Sequence, residues 1–381
     1  MIRKLVIILY FSSLYFGGSD FVYVYYFSFA LCFCYFIVSS FIDGKIDFDY
    51  SLRSFILFLI FSGLSTIWAV NQAFALEMFI RLCIFAANLM IVKQLLKDRI
   101  NFICYGVFGL AVGMLIQLML LPFATLYHSG RFFGTTANPN HLAVLCVLTY
   151  CAILAISGMG STPLRKLGRV NLNRLFLSVF IISTALIVVL ATESRKGILV
   201  LVPLICIHLM GVVNKKAIFS RLFGSSIILV FLLTLTVQAL IPFFNEFAVI
   251  KRIEDFIVGI GGINLVDFDK IAFEGDSSSK FRLYFINLSL IEFFENPLFG
   301  RGLDNFRGVY NDKLYSHANV FELMSTLGLI GMILYYRFIW SIVRNILSTQ
   351  IILSYVVFFA VILYEFTMVS YFERFYLIPL V

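Results

Sequence analysis

The sequence predicts an all-α protein, specifically a polytopic integral membrane helical bundle of about 11 to 12 transmembrane helices. Of its 381 residues, 61% are hydrophobic and only 13% are charged, and the mean hydropathy is +0.98. Soluble globular domains carry about a quarter charged residues, so this composition is typical of a chain surrounded by lipid. Apolar runs of about 20 residues also recur along the sequence, and each is long enough to cross a hydrocarbon core about 30 Å thick.

The apolar runs define eleven predicted crossings, and the C-terminal stretch YFERFYLIPLV can begin a further short one. The first run follows Arg3 and Lys4, as in a signal peptide, but no small-residue cleavage site separates it from the second run, so we interpret it as a retained helix. All seven cysteines fall inside apolar runs, where we expect core residues rather than disulfides or metal ligands. The predicted spans are residues 4–17, 21–42, 52–70, 74–95, 102–124, 140–158, 174–192, 197–213, 222–243, 318–340 and 348–370.

The distribution of Lys and Arg predicts a multi-pass protein of the cytoplasmic (inner) membrane with its N-terminus in the cytoplasm. With that orientation the inner loops hold sixteen Lys and Arg residues, whereas the short outer loops hold four, namely Arg131, Arg195, Lys196 and Arg374. Membrane proteins retain basic residues in their short cytoplasmic loops. The net charge of +8 therefore reflects loop asymmetry, and because the basic residues do not share one face, we expect membrane lipids and no nucleic acid as partners.

The same orientation places one long loop outside the membrane. Within it, the sequence NEFAVIKRIEDFIVGI (245–260) has one apolar and one charged face, which predicts an amphipathic helix in the membrane interface. A second helix is predicted to begin at the serines 277–279 and to end at Asn296-Pro297, and the glycines that follow turn the chain back. The predicted regions are an N-terminal transmembrane bundle over residues 1–243, the extracytoplasmic loop over 244–317 and C-terminal transmembrane helices over 318–381.

Basic groups near helix ends on the predicted outer side are candidates for a phosphate-binding site. A planar guanidinium matches phosphate oxygens in a bidentate manner, so a cluster of such groups suits a lipid-linked diphosphate. The alternative is that each side chain only reaches out to lipid head groups. Arg195 is the strongest candidate because ATESRKGIL leaves no room for a flexible loop between two apolar runs, and an unpaired cation beside the bundle would be costly. The full set is Arg131, Arg195, Lys196, Arg282, Arg301, Arg307 and His317.

His317 lies where a polar loop meets an apolar span, in the sequence YSHANVFELM. A neutral imidazole can accept a proton from a hydroxyl nucleophile near neutral pH, which makes His317 a candidate general base. The alternative is a capping residue bonded to a neighbouring carbonyl. For His128, on an outer loop, and His208, inside an apolar run, we expect structural roles.

Four stretches of sequence carry short polar motifs beside apolar helices: FFGTTANPNHLAVL (132–145), TESRKGILVL (192–201), KFRLYFINLSLIEFFENPLFGRGLDNF (280–306) and SHANVFELMSTLGLIG (316–331). Their order, with the long outer loop before the last one, resembles the successive motifs of the O-antigen polymerase and O-antigen ligase family. The family's H-N pair before its next helix has an inserted alanine here. The matching positions are Asn138, Pro139, Asn140, Leu142 and Ala143, then Ser194 and Arg195, then Arg282, Pro297, Leu298, Gly300 and Gly302, and then His317.

The resemblance implies an inverting, metal-independent membrane glycosyltransferase with the GT-C-type fold that is shared with cell-wall polymerases of the shape, elongation, division and sporulation type. Its donor would be an undecaprenyl-diphosphate-linked oligosaccharide at the outer face of the membrane, and its acceptor a glycan. His317 would act as the base, and Arg195 and Arg282 would stabilise the leaving diphosphate. No cofactor or metal is expected, because both DFD sequences, 47–49 and 267–269, lie away from this cluster. Further substrate-binding candidates are Lys196, Arg131, Arg301, Asn138, Asn140 and Asn319.

Three functions are open at this point. A polymerase would extend another lipid-linked repeat unit of O-antigen, capsule or exopolysaccharide, and we favour it because the SRK sequence resembles the polymerase versions of that motif. A ligase would instead transfer the glycan to lipid A core. A lipid-linked-sugar transporter would be expected to show internal repeats and charged midplane helices, whereas no repeat appears here and the apolar spans are nearly free of charge apart from Glu77, Arg81, Glu322 and Glu365. A chain-length regulator is a further candidate partner.

Overall fold

The structure is a computed structural model, and several predicted features lie outside the part of the chain that it describes. These are the predicted span 222–243, the predicted amphipathic helix at 245–260 and His317. The side chains of Arg195 and Arg282 also lie outside it, although their backbones belong to described helices. The described residues are 2–18, 20–43, 48–96, 100–128, 131–136, 138–158, 171–213, 277–309, 316, 318–347, 358, 360–362 and 364–366.

The prediction of an all-α membrane protein is confirmed. A two-residue strand pair, β1 (Tyr127–His128) with β2 (Arg131–Phe132), is the only sheet among the described residues. The helix predicted to begin at the serines and to end before Asn296-Pro297 is also confirmed. The helices are α1 (Ile2–Ser13), α2 (Val22–Asp43), α3 (Tyr50–Ser65), α4 (Gln72–Leu96), α5 (Ile100–Leu120), α6 (Pro139–Gly158), α7 (Asn171–Ala191), α8 (Arg195–Val213), α9 (Ser277–Glu295), α10 (Asn305–Val309) and α11 (Asn319–Leu347).

Four described helices contain stretches long and apolar enough to cross a membrane, at Val22–Ser39, Gln72–Leu96, Phe102–Leu120 and Asn319–Arg344. Shorter apolar stretches occur in α3, α6, α7 and α8. All eight stretches coincide with predicted spans, while the total number of crossings and the division into three regions stay predictions.

Helix α1 packs closely against α5 through glycines. A Cβ atom at Gly109 would lie 2.6 Å from the carbonyl oxygen of Ile8, and one at Gly113 would lie 2.4 Å from the ring of Tyr15. Small residues spaced four apart let two membrane helices approach until their backbones touch, which is how such helices gain van der Waals contact without a hydrophobic driving force. This contact places the end of α1 beside the loop that follows α5.

Helix α11 is broken at Gly328, whose φ of 63° and ψ of −165° are not helical. Asn319 and Tyr336 both donate hydrogen bonds to the same oxygen of Glu365, at 2.5 and 2.9 Å. In a straight helix these two residues would be about 25 Å apart. The two halves of α11 therefore fold back on each other, a feature that the predicted span 318–340 did not anticipate.

The break in α11 is closed by main-chain hydrogen bonds from the segment Pro297–Gly302. The N–H groups of Arg301 and Gly302 donate to the carbonyls of Ser325 and Thr326, at 3.1 and 2.8 Å. The carbonyls of Pro297 and Leu298 accept from the N–H groups of Leu329 and Ile330, at 2.8 and 3.2 Å. Helix ends leave main-chain N–H and carbonyl groups without partners inside the helix, and within a membrane these groups cannot hydrogen-bond to water instead. We call Pro297–Gly302 the clamp.

Glu77, Arg81, Glu322 and Glu365, which lie within the apolar spans, all have partners. Glu77 pairs with Arg81 at 2.5 Å and with Arg307 at 2.8 Å. Glu322 is buried and accepts a hydrogen bond from the N–H of Ser316 at 2.8 Å. Glu365 accepts from the side chains described above. Ionisable groups inside a membrane are tolerated when they are paired in this way.

Candidate active site

The NPN sequence starts helix α6. The side chain of Asn138 accepts a hydrogen bond from the N–H of Asn140 at 2.8 Å, and its carbonyl accepts from the N–H of Leu142 at 3.2 Å. These are the bonds of an N-cap residue, and Pro139 fits the first helical position because its missing N–H would have no partner there. The motif therefore fixes the first turn of α6 and directs Asn140 to a neighbouring helix.

The TESRK sequence forms the sharp corner between α7 and α8. Ser194 caps α8, with its hydroxyl accepting from the N–H of Gly197 at 3.4 Å. Gly197 is required by packing, since a Cβ atom there would lie 2.9 Å from Ala143 of α6 and 2.9 Å from Val189 of α7. Arg195 and Lys196 consequently occupy the first turn of α8, whereas the sequence motifs alone place them only near a helix end.

Three of the predicted polar residues meet between these two helix starts. Arg131 donates from Nε to the carbonyl of Thr192 at 3.1 Å and from Nη2 to the side-chain oxygen of Asn140 at 3.3 Å. The hydroxyl of Ser194 donates to the same Asn140 oxygen at 3.2 Å. Asn140 thus joins the NPN corner, the TESRK corner and Arg131. We call Arg131, Asn140 and Ser194 the polar junction.

The electrostatics of the polar junction favour an anion. The N-terminal ends of α6 and α8 both carry partial positive charge from their backbone dipoles, and the basic residues Arg131 and Lys196 lie in the same region. Cations are normally disfavoured in the first turn of a helix. A phosphate group bound here would be stabilised by both the dipoles and the side chains.

Gln117 anchors the loop that carries the NPN sequence, and we did not predict this from the sequence. Its Nε2 donates to the hydroxyl of Thr135 at 2.6 Å, and its Oε1 accepts from the N–H of Thr135 at 3.1 Å. Thr135 also bonds the end of α1, through the carbonyl of Tyr15 at 2.7 Å. Gly134 has a φ of +57°, and a Cβ atom there would collide with Gln117. The available signal was a single amide inside the apolar run of α5.

We expect Gln117→Leu to lower the free energy of unfolding by about 1 to 3 kcal/mol, because it leaves the buried N–H of Thr135 without its partner. The measurement is the melting temperature of the purified protein in detergent. Gln72→Leu is the control, because Gln72 is exposed. Equal melting temperatures for both variants would contradict the anchoring role.

Two further candidates have partners elsewhere. Arg301 pairs with Glu292, with Nε 2.5 Å from Oε2, and also with Glu295. Asn319 donates to Glu365. The structure therefore brings Arg131, Asn138 and Asn140 together beside the α8 turn that carries Lys196, while Arg301 and Asn319 are engaged in contacts with α9 and Glu365. The substrate-binding roles of all six stay predictions, as do the catalytic roles of Arg195, Arg282 and His317.

Asp304 lies between α9 and α10 in an ion-pair group. It is only 5% exposed, its carboxylate is 3.2 Å from Nε of Arg307, and Arg307 also pairs with Glu77. Burial raises the pKa of Asp304 to about 6, Arg307 and Arg81 oppose this rise, and Glu77 adds to it. The group should therefore take up a proton in the mildly acidic range.

We expect the free energy of unfolding to fall as the pH rises from about 4 to about 6, because over this window the folded protein holds the Asp304 proton that the unfolded chain has released. The loss is at most about 3 kcal/mol, from a difference of about two pKa units. Asp304→Asn should flatten the melting temperature over this range, and asparagine suits the positive φ of 56°. Asp20→Asn, at an exposed site, is the control. An unchanged slope in Asp304→Asn would contradict the assignment.

The chain was also compared with known proteins. Residues 179–336 match the sequence model of a family described as O-antigen ligase. The matched region begins in α7 and ends in the second half of α11, so it includes the TESRK corner, α9, the clamp and the break. No curated protein matches the chain.

Proposed function

We propose that this chain, whose residues 179–336 match the sequence model of a family described as O-antigen ligase, is a membrane glycosyltransferase of polysaccharide assembly. More specifically, we propose that it polymerises undecaprenyl-diphosphate-linked oligosaccharide repeat units at the outer face of the cytoplasmic membrane. The observation that carries the proposal is the polar junction. It joins two motif corners at two helix N-termini, which is an arrangement suited to binding a diphosphate.

In the proposed reaction, a hydroxyl oxygen of the acceptor glycan forms a bond to the anomeric carbon of the donor. The bond between that carbon and the diphosphate oxygen breaks on the opposite face, so the configuration inverts, and the electron pair leaves with undecaprenyl diphosphate. His317 accepts the hydroxyl proton. The transition state resembles an oxocarbenium ion, so the largest demand on the protein is to stabilise the negative charge that develops on the diphosphate.

Arg195 and Arg282 are proposed to stabilise that charge. Arg195 is the first residue of α8 and follows Ser194 of the polar junction directly. A guanidinium at this position adds its charge to the helix dipole, and it can bind two phosphate oxygens at once. Lys196 and Arg131 are proposed to assist from the same corner. Fixed cations of this kind can replace a metal ion in neutralising a leaving diphosphate.

The description of the matched family favours a second candidate, the O-antigen ligase reaction. The donor and the leaving group are the same in both reactions. The acceptor differs, being the outer sugar of lipid A core for the ligase and another lipid-linked repeat unit for the polymerase. The same cations and the same base would serve both, so the residues described above do not separate the two.

The test uses purified protein in detergent with the lipid-linked repeat unit alone. A ladder of products on a gel is expected, and it should fall by at least about 100-fold in Arg195→Ala, since removing one group that stabilises developing charge commonly costs that much. Arg344→Ala is the control, because Arg344 is exposed in the last turn of α11, on the predicted cytoplasmic side. Transfer only after lipid A core is added would support the ligase. A wild-type rate in Arg195→Ala would contradict the diphosphate assignment.

A further inference from the structure

Glu365 is a buried carboxylate that the proposed reaction does not use. It is 2% exposed and accepts hydrogen bonds from Asn319 at 2.5 Å, from Tyr335 at 3.1 Å and from Tyr336 at 2.9 Å. A carboxylate at such a depth is costly, and it is tolerated only with several partners. These three donors all belong to α11, so the carboxylate stabilises that helix.

The three donors come from both halves of α11. Asn319 begins the first half, whereas Tyr335 and Tyr336 lie in the second half, beyond the break at Gly328. The first half has only nine residues, which is too short for a helix to be stable by itself. The clamp holds its C-terminal end through the carbonyls of Ser325 and Thr326. Glu365 holds its N-terminal end.

The second half of α11 runs beside α3, which shows how deep this contact lies. The ring of Tyr335 packs on Phe58, in the middle of α3, with centroids 5.4 Å apart. The clamp lies at the end of α3, because the N–H of Leu303, the residue directly after the clamp, donates to the hydroxyl of Ser65 at 3.2 Å. Asn319 therefore begins α11 inside the bundle, beside the second half of the same helix.

The contact also fixes the orientation of the Asn319 side chain. A carboxylate can only accept hydrogen bonds, so the amide nitrogen of Asn319 must face Glu365 and its oxygen must face away. Asn319 is two residues from His317, Ala318 is buried, and Ser316 is held by Glu322. Ser316 and Asn319 therefore both have buried partners, one on each side of His317 in the sequence.

We infer that Glu365 is a positioning residue for the segment Ser316–Asn319, which carries the proposed base His317. The inference rests on the proposed function. Glu365 acts through Asn319 and does not contact the substrate. It links the last described part of the chain to the segment that holds the base, and it gives Asn319 a positioning role in place of a direct substrate contact.

The test exchanges the amide of Asn319 and the carboxylate of Glu365. Asn319→Asp places a second carboxylate against Glu365, and we expect kcat to fall about 10- to 100-fold, as for other small displacements of catalytic groups. Adding Glu365→Gln restores one amide and one carboxylate, in exchanged positions. The kcat of this double variant should be at least about tenfold higher than that of Asn319→Asp. The affinity for the lipid-linked donor should stay within about twofold throughout. A purely structural contact would lower the yield of folded protein without this selective rescue.

A second readout does not depend on activity. Amide hydrogen exchange in the peptide covering residues 316–327 should accelerate in Asn319→Asp and return towards the wild-type rate in the double variant. Asn88→Leu is the control, since Asn88 is another buried amide, bonded by Tyr10 and Tyr25, and its loss should leave this peptide unchanged. A double variant no better than Asn319→Asp in both readouts overturns the inference. If wild-type protein transfers no glycan, the proposed function fails. Amide hydrogen exchange in residues 316–327 still tests whether Glu365 stabilises the segment Ser316–Asn319.

Discussion

Gly328→Ala should lower the free energy of unfolding by about 3 to 5 kcal/mol, the largest stability effect that we expect from a single substitution in this chain. Gly328 has a φ of 63°, and a Cβ atom there would lie 2.6 Å from the backbone N of Gly300 and 2.6 Å from the carbonyl of Leu298. Both neighbours belong to the clamp, whose main-chain hydrogen bonds close the break. The new methyl group must therefore displace backbone that is already paired.

The same argument applies from the other side of the contact. A Cβ atom at Gly300 would lie 2.4 Å from the backbone of Thr326. Gly300→Ala should consequently show a similar loss, and the double variant should lose less than the sum, because both changes break the same contact. Melting temperature in detergent and the fraction of monodisperse protein are the measurements.

Gly106→Ala provides the matched control for both glycines. Gly106 lies inside α5, and the nearest neighbour of a Cβ atom there would be the side chain of Phe11 at 3.2 Å, which can move slightly. Alanine also favours the helical conformation more than glycine does, by about 1 kcal/mol. We expect a change of less than about 1 kcal/mol there. A Gly328→Ala protein as stable as Gly106→Ala would show that the clamp does not fill the break.

Features that depend on sequence signals within a few residues were predicted correctly. Helix α9 was predicted because serines precede it and Asn296-Pro297 follows it, and both signals act within a few residues. The apolar spans were predicted for the same reason. The break at Gly328 was not, because LGLIG has the composition of an ordinary membrane helix, in which glycine is common. Only the approach of the clamp, which is distant in sequence from α11, shows why the helix stops there.

Charged and polar residues were harder to assign from sequence. Arg301 was predicted as a diphosphate ligand because of its side of the membrane, but its partners Glu292 and Glu295 lie on the preceding helix. Sequence position could not reveal that the clamp folds back onto the end of α9. The structural roles of Gln117 and Glu365 were missed for a related reason. Each is an isolated polar residue in the sequence, and only the fold brings Thr135 to Gln117 and Asn319 to Glu365. Asn140 was found only through the resemblance.

His317→Ala should have the largest effect on catalysis, with transfer falling by about 100- to 10,000-fold if His317 is the general base. A base acts on the acceptor hydroxyl only as the transition state forms, so its loss should lower kcat and leave binding of the lipid-linked donor unchanged. His128→Ala is the control, because His128 also lies on the predicted outer side, in the strand β1. The initial rate of ladder formation and the donor affinity are the measurements.

The pattern across variants distinguishes the base from the diphosphate ligands. Arg195 would contact the diphosphate both before and during the reaction, so Arg195→Ala should weaken donor binding and slow transfer together. His317→Ala should slow transfer alone, and the remaining activity should lose the decline at acidic pH that protonation of a histidine base produces in the wild type. A loss of donor affinity in His317→Ala equal to that in Arg195→Ala would assign His317 to the diphosphate site. The acceptor would then have to lose its proton to another group.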